Sequence, residues 1–363
     1  MSPRVLTVVG NRPQFVKAAA VSGHLRERVD EVLVHTGQHY DPELSDVFFE
    51  ELDPPRPDHE LEVGSGTHAE QTAAILTGLE PLIAETRPDA LLVYGDTNST
   101  LGGALVAAKS RVRLAHLEAG MRSGDRGMPE EVNRLVADSL GNLLLSPTEA
   151  AMENLKREGL GERAVLTGDV MADVALRMGP VADQRSAILD RLGLEPRGFF
   201  VASAHRPANV DDPERLAQLI QVLERAAAIA PVVFPVHPRT RARLESADSL
   251  EGLDRRGIAA TEPLGYLDMT RLVRTARAVI TDSGGLQKEA FLASVPCLTM
   301  RDETEWVETI DAGWNRLIGL RAEALPTALE ELPAAGDPSP AAEIYGGGEA
   351  GERVAVAIAE WLG

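Results

Sequence analysis

The stretch VLTVVGNRPQFVKAAAVSGHLRERVDEVLVH, Val5–His35, decides the fold. Val5–Val9 is a continuous apolar run about one buried strand long. Gly10 allows a tight turn, and Pro13 suits the start of a helix. Gln14–Arg26 then reads as a helix and Val32–His35 as the next strand. Two largely apolar strands joined through a helix predict a parallel sheet covered on both faces.

The same alternation runs outward from this unit. Thr67–Glu85 reads as a long amphipathic helix with a capping threonine at its start. Ala90–Tyr94, Val112–Leu117, Asn142–Leu145 and Ala164–Leu166 read as strands. Ser99–Lys109, Glu130–Leu140 and Thr148–Glu158 read as the helices between them. Met178–Arg197 carries charges, glycines and prolines, and reads as a connector. Beyond it the pattern repeats. Strands are expected at Phe199–Ala202, Val232–Val236, Gly257–Ala260, Ala278–Thr281 and Pro296–Thr299. Helices are expected at Asp211–Ile229, Leu267–Ala276 and Gly285–Leu292. The expected class is therefore α/β, with two doubly wound domains over 1–175 and 176–345. Ala334–Gly348 reads as a loop. Val354, Ile358, Trp361 and Leu362 fall at helical spacing, so 346–363 is expected to form a helix that packs back on the first domain.

Composition agrees with two globular domains. The chain has 363 residues, 44% of them apolar, which is enough for a sizeable core. Aromatics are only 4%, so aliphatic side chains and alanine must fill that core. The net charge of −20 disfavours nucleic acid as the main partner. A single cysteine, Cys297, excludes an intramolecular disulfide framework and a cysteine zinc cluster. Val5–Val9 is too short for a signal peptide, and no apolar run of about 18 residues is present to span a membrane. A soluble, cytoplasmic protein without membrane contact is expected.

Open α/β sheets bind ligands beyond the carboxyl ends of their strands. After the first strand, Arg12 and Lys17 would bring positive charge to a helix start, which favours an anion. Asp96 follows the Ala90–Tyr94 strand, where it could serve as a helix cap or as a functional carboxylate. Glu118 ends the Val112–Leu117 strand, so it is expected to be paired, with Arg122 as one partner, or functional. Glu130 and Arg134 are four residues apart on one helix, which fits a surface ion pair as well as a site. Three carboxylates at neighbouring strand ends suit acid/base work on carbon. In the second half, His205 follows a strand and is able to hold or give a proton near neutral pH. Ser283, Gly284 and Gly285 open a helix whose backbone N–H groups could approach a pyrophosphate. Glu289 lies about one turn further, placed to accept from ribose hydroxyls. Gly64–Ala69 formally fits a dinucleotide motif, but the polar segment Arg56–Val63 before it does not read as a strand. Gly37 between His35 and His39 argues against a metal pair on one helix face, and no metal is expected.

Taken together and in order, GNRPQFVK, HTGQHYD, YGDTNST, HLEAGMRS, MPEEVNR, HRPAN, PVHP, TDSGG-QKEA and RDETEWVE resemble the non-hydrolysing UDP-N-acetylglucosamine 2-epimerases. The similarity runs from about Val5 to Gly319. It implies two Rossmann-like domains in a GT-B arrangement, an active site in the interdomain cleft, a homodimer and no cofactor. It also implies the chemistry: anti elimination of UDP from the sugar to a 2-acetamidoglucal, then re-addition with C2 inverted. By resemblance, Asp96, Glu118 and Glu130 are the candidate acid/base carboxylates, and His205 is a further catalytic candidate, by the phosphates, that helps UDP leave. Arg12, Lys17 and Arg134 offset negative charge, Ser283, Gly284 and Gly285 hold the diphosphate, and Glu289 holds the ribose. The sequence departs from the best-known bacterial pattern at Leu264, Met269 and Trp306. The MPEE and ETEWVE forms also occur in relatives that epimerise UDP-2,3-diacetamido-glucuronate, so that substrate stays open beside UDP-N-acetylglucosamine. A hydrolysing epimerase, a GT-B glycosyltransferase and a non-catalytic binder are the remaining alternatives.

Overall fold

A computed structural model describes residues 2–37, 56–247 and 249–363. The chain forms two compact units, Met1–Val174 with Ala342–Gly363, and Ala175–Ala341. The first unit is built on β1 (Arg4–Val9), β2 (Asp30–His35), β3 (His59–Glu60), β4 (Ala90–Tyr94), β5 (Arg113–Leu117), β6 (Leu143–Ser146) and β7 (Ala164–Leu166). All are parallel, in the order β3-β2-β1-β4-β5-β6-β7. Successive side chains of β1 feed opposite cores. Val5 and Val9 pack with Ala18, Val21 and Leu25 of the Arg12–Arg26 helix. Leu6 and Val8 pack with Ile75, Leu79 and Ile83 of the His68–Thr86 helix. That second helix starts on a reciprocal cap between Thr67 and Glu70, which satisfies N–H groups left free by helix geometry.

The closing helix, Ala350–Leu362, belongs to this first unit. Its Val354, Ala355 and Ile358 are buried against the same face as Ala18 and Val21. Gly351 makes the approach possible, because a Cβ there would stand 2.1 Å from the Ala20 carbonyl oxygen.

The second unit holds β8 (Phe200–Ser203), β9 (Val232–Pro235), β10 (Ile258–Thr261), β11 (Ala278–Thr281), β12 (Cys297–Thr299) and β13 (Asn315–Leu317). They form a parallel sheet in the order β10-β9-β8-β11-β12-β13. In both sheets the chain winds outward in one direction and then returns to build the other. The reversal falls between β1 and β4 in the first unit and between β8 and β11 in the second. At such a reversal the loops diverge above the sheet and leave a crevice.

Several segments differ from the sequence reading. Met178–Arg197 is largely helical, covered by Val170–Arg185 and Ile188–Leu192. Val174, Met178 and Ala182 are buried at four-residue spacing, and that burial outweighs the helix-breaking tendency of Pro180. Arg56–Val63 does contain a strand, the two-residue β3, which pairs with β2 through its backbone. β13 was likewise not expected. Both lie at a sheet edge, where backbone pairing needs no apolar pattern. Ala334–Gly348 includes a short helix at Ala341–Ile344.

Candidate active site

The first unit gathers its chemistry at the β1/β4 reversal. Gln14 is buried there and stitches the two strand ends together. Its Oε1 accepts from Gly10 N–H, and its Nε2 donates to the Tyr94 carbonyl and to Thr97 Oγ1. Gly10 has to be glycine, since a Cβ would meet Ser99 Oγ at 1.8 Å. Sequence reading missed Gln14; the uncharged polar residue in the first turn of a helix was the available signal.

Lys17, buried one turn along that helix, pairs with Glu118 at the end of β5. Burial alone would push the Lys17 ammonium pKa down, but the charges of Glu118 and Asp96 outweigh it and the net direction is up. Gly95 lies under this pair with φ of 62°, and a Cβ there would stand 2.9 Å from Glu118 Oε2. Asp96 pairs with Arg134, which also reaches Glu131 Oε2 at 3.1 Å. The expected Glu118–Arg122 and Glu130–Arg134 pairs do not form. Arg122 turns to the fully buried Asp138 at 2.7 Å and to Glu158 at 2.6 Å. Fully buried, Asp138 needs a cation more than the partly exposed Glu118, which has Lys17.

Glu130 is exposed at the start of the Pro129–Leu140 helix. It lines a cavity of about 340 Å³ together with Asn11, Ser65, His68, Asp96 and Asn133. Asn133 Nδ2 donates to the Asp96 carbonyl at 2.8 Å, and Asn98 Nδ2 donates to Gln71 Oε1 at 2.8 Å. Glu131, beside Glu130, is buried and shapes the loop before the helix. It accepts from Ser123 N–H at 2.9 Å and Gly124 N–H at 3.3 Å. Burial pushes its carboxyl up, yet these donors and Arg134 bring it below the usual range. Arg12 opens the first helix, and its side chain lies outside the described residues, as do His39 and the Tyr40-Asp41 that follows it. Among the described residues, no cluster of histidine, cysteine or carboxylate ligands has the makings of a metal site. Among them too, no helix is long and apolar enough to cross a membrane.

The second unit places its candidates at the β8/β11 reversal. Asp282, fully buried after β11, accepts from the backbone N–H of His205 at 3.1 Å and of Arg206 at 3.0 Å. It also accepts from Asn209 Nδ2 at 3.1 Å, so one carboxylate ties His205 and Arg206 to the short Pro207–Val210 helix that follows. His205 itself is partly exposed, with Nδ1 3.5 Å from Asp282 and its ring 5.4 Å from that of His237. Ser283 caps the Gly284–Leu292 helix by accepting from Leu286 N–H. At Gly284 a Cβ would lie 2.3 Å from Glu305 Oε1, so a side chain there would push the Glu305 carboxylate aside. Gly285 is exposed, which leaves that helix start open to a ligand. Glu289 is half-buried near Tyr266 and Arg274, and loss of solvation pushes its carboxyl up to about 7. Trp306 stacks on the Lys288 ammonium, 4.3 Å from the ring centre. Asp282 was the main omission of the sequence reading; an acid directly after a buried strand and before a capping serine was its signal.

Comparison with known proteins bears on this arrangement. Residues 23–359 match the family model described as UDP-N-acetylglucosamine 2-epimerase. The chain is 43% identical to the UDP-2,3-diacetamido-2,3-dideoxy-D-glucuronate 2-epimerase of Pseudomonas aeruginosa, covering 98% of this chain and 99% of that one. It is 37% identical to the UDP-N-acetylglucosamine 2-epimerase of Methanocaldococcus jannaschii, with 96% of each chain covered. The crystal structure of the Methanocaldococcus jannaschii enzyme in complex with UDP-GlcNAc and UDP superposes with a TM-score of 0.85 over 99% of both chains, at 36% identity. That match gives the chain the GT-B-like two-domain class. The chain belongs to the UDP-N-acetylglucosamine 2-epimerase family, of the non-hydrolysing type, and is a UDP-sugar 2-epimerase.

Proposed function

We propose that the protein interconverts UDP-N-acetylglucosamine and UDP-N-acetylmannosamine. The observation that carries this reading is the arrangement at β4 and β5: Asp96 and Glu118, each held by its own cation, with Glu130 lining the same cavity as Asp96. One carboxylate takes the C2 proton. The C–H electrons form the C1–C2 double bond, and the C1–O bond breaks with its electrons leaving on UDP. UDP then re-adds at C1 as a second acid protonates C2 from the other face. The C2 proton is activated by no carbonyl, so stabilising the leaving diphosphate has to lower much of the barrier. The N–H groups at Ser283–Gly285 with His205 nearby suit that task, and Glu289 suits the ribose. Arg12, Lys17 and Arg134 serve the negative charge of the substrate. We also propose that the enzyme works as a homodimer, which sedimentation at micromolar concentration would test.

UDP-2,3-diacetamido-glucuronate is the second reading, favoured by the identity to the Pseudomonas aeruginosa relative. Each sugar nucleotide, incubated with the enzyme in deuterated water and followed by proton NMR, decides between them. Deuterium at C2 with a 2-epimeric UDP-sugar is the expected result for the true substrate. Free sugar would mean hydrolysis, and two unchanged spectra would rule out both sugars and point to another substrate or to a binder. Asp96→Asn, Glu118→Gln and Glu130→Gln are each expected to lose about 100-fold or more in turnover while still binding UDP. Near-normal turnover in any one removes that residue from the catalytic set.

A further inference from the structure

Behind the carboxylates lies a buried charge cluster to which the mechanism so far gives no part. His116, in β5, is fully buried. Its Nε2 is 2.7 Å from the Gly95 carbonyl oxygen, and its Nδ1 is 2.7 Å from Asp138 Oδ1. A carbonyl oxygen only accepts, so Nε2 must carry a proton. Asp138 Oδ2 accepts from Gly120 N–H at 3.0 Å and faces the Arg122 guanidinium at 2.7 Å. Asp138 Oδ2 thus takes two donors, one of them a permanent cation, and that environment fits the ionised carboxylate. An ionised Asp138 only accepts, so Nδ1 must carry a proton as well. Both ring nitrogens are then donors, and His116 is an imidazolium shut away from water.

The contacts of this ion pair are the backbone joints of the site. His116 grips Gly95, the residue before Asp96. Gly95 N–H in turn donates to the Leu117 carbonyl at 2.9 Å, next to Glu118. Asp138 grips Gly120, two residues after Glu118. Both loops need holding. Glu118 sits at φ of 73°, a left-handed conformation that a side chain disfavours, between Gly95 at 62° and Gly120 at 83°. A neutral histidine would leave one of the two grips without its proton.

We propose that His116 and Asp138 are positioning residues, a buried hydrogen-bonded pair that sets the Asp96 and Glu118 strand ends in register for proton transfer at C2. This rests on the epimerase reading for its effect on rate, though not for its charge. Neither side chain lines the cavity that holds Asp96 and Glu130, so the pair acts only through the backbone of those strand ends.

The test begins with the unmodified full-length protein, grown with 15N-labelled histidine. His116→Gln identifies the His116 signals by their loss. Both ring nitrogens of His116 are expected to carry a proton in the folded protein at neutral pH, as their two acceptors require. A bare nitrogen there overturns the imidazolium. Kinetics then separate positioning from mere stability. Asp138→Asn is expected to lower kcat about 100-fold, with KM and UDP affinity changed by less than about threefold. His116→Gln, which keeps a donor and loses the charge, is expected to lose kcat in the same way. A folded variant of either kind with kcat within about twofold of wild type overturns the proposal. The histidine spectrum needs no substrate, so a wild-type enzyme that turned over no UDP-sugar would sink the function reading instead and leave the charge decided.

Discussion

Glu289 is the side chain whose environment departs furthest from its reading in sequence. One turn into a glycine-started helix, it looked like a plain acceptor for sugar hydroxyls. The fold places it where desolvation raises its pKa from the ordinary 4.5 to about 7. The sign of the consequence follows. The folded state holds this proton more tightly than the unfolded chain, so the stabilising contribution is full below about 4.5 and is lost as pH rises through about 7. Urea midpoints measured on the unliganded wild type and on Glu289→Gln should converge on one pH dependence except in that window. There the wild type is expected to lose more stability with rising pH than the variant. Parallel curves would show that Glu289 is solvated like an ordinary carboxylate. Lys17 shows the opposite balance: burial opposes its charge, and two carboxylates restore it.

At the scale of elements, the strand ends decide the chemistry. Gly95 links β4 to the carboxylates and combines a positive φ with a missing Cβ against Glu118. Gly95→Ala is therefore expected to cost about 1–2 kcal/mol of stability from the backbone alone. Turnover should fall much further, by about 100-fold, because the new methyl displaces the Lys17–Glu118 pair. A thermal melt and a kcat measurement on the same sample check both halves, and unchanged turnover would free Gly95 of any role beyond the turn. The interior strands were legible in the sequence because a strand buried on both faces is mostly apolar, as Leu91–Val93 is, with polar members such as Thr7 and His116 as exceptions. The edge strands β3 and β13 were not, since their pairing is a backbone matter. The residues in the proposed reaction were legible because they follow those apolar runs. Gln14, Asp138 and Asp282 were not, because a buried polar side chain is defined by partners distant in sequence, such as Thr97, His116 and His205.

At the scale of the whole molecule, the last helix returns to the first unit, and its burial makes a clear demand. Ile358 has no exposure and sits in the core that Val5, Val21 and Leu25 share. Ile358→Asp is expected to destabilise that unit by about 3–5 kcal/mol, seen as a lowered urea midpoint. An unchanged midpoint would mean that the helix is dispensable to the core. The charge of −20 also takes on its meaning here. It argues against a long phosphate backbone as partner, while at one reversal point of the first sheet Lys17 and Arg134 balance the charges of Glu118 and Asp96.

Periodicity and turn chemistry along the sequence determined two parallel α/β sheets and the strand ends that carry the proposed site. Both are local properties: a doubly covered strand is mostly apolar, and a glycine or proline marks where it turns. Pairing was decided only by the tertiary structure. Glu118 takes Lys17 and not Arg122, Arg134 takes Asp96, and His116 is locked between Gly95 and Asp138. The physical reason is that the free energy of a buried charge depends on which opposite charge the fold brings to it, and spacing along the chain does not contain that information.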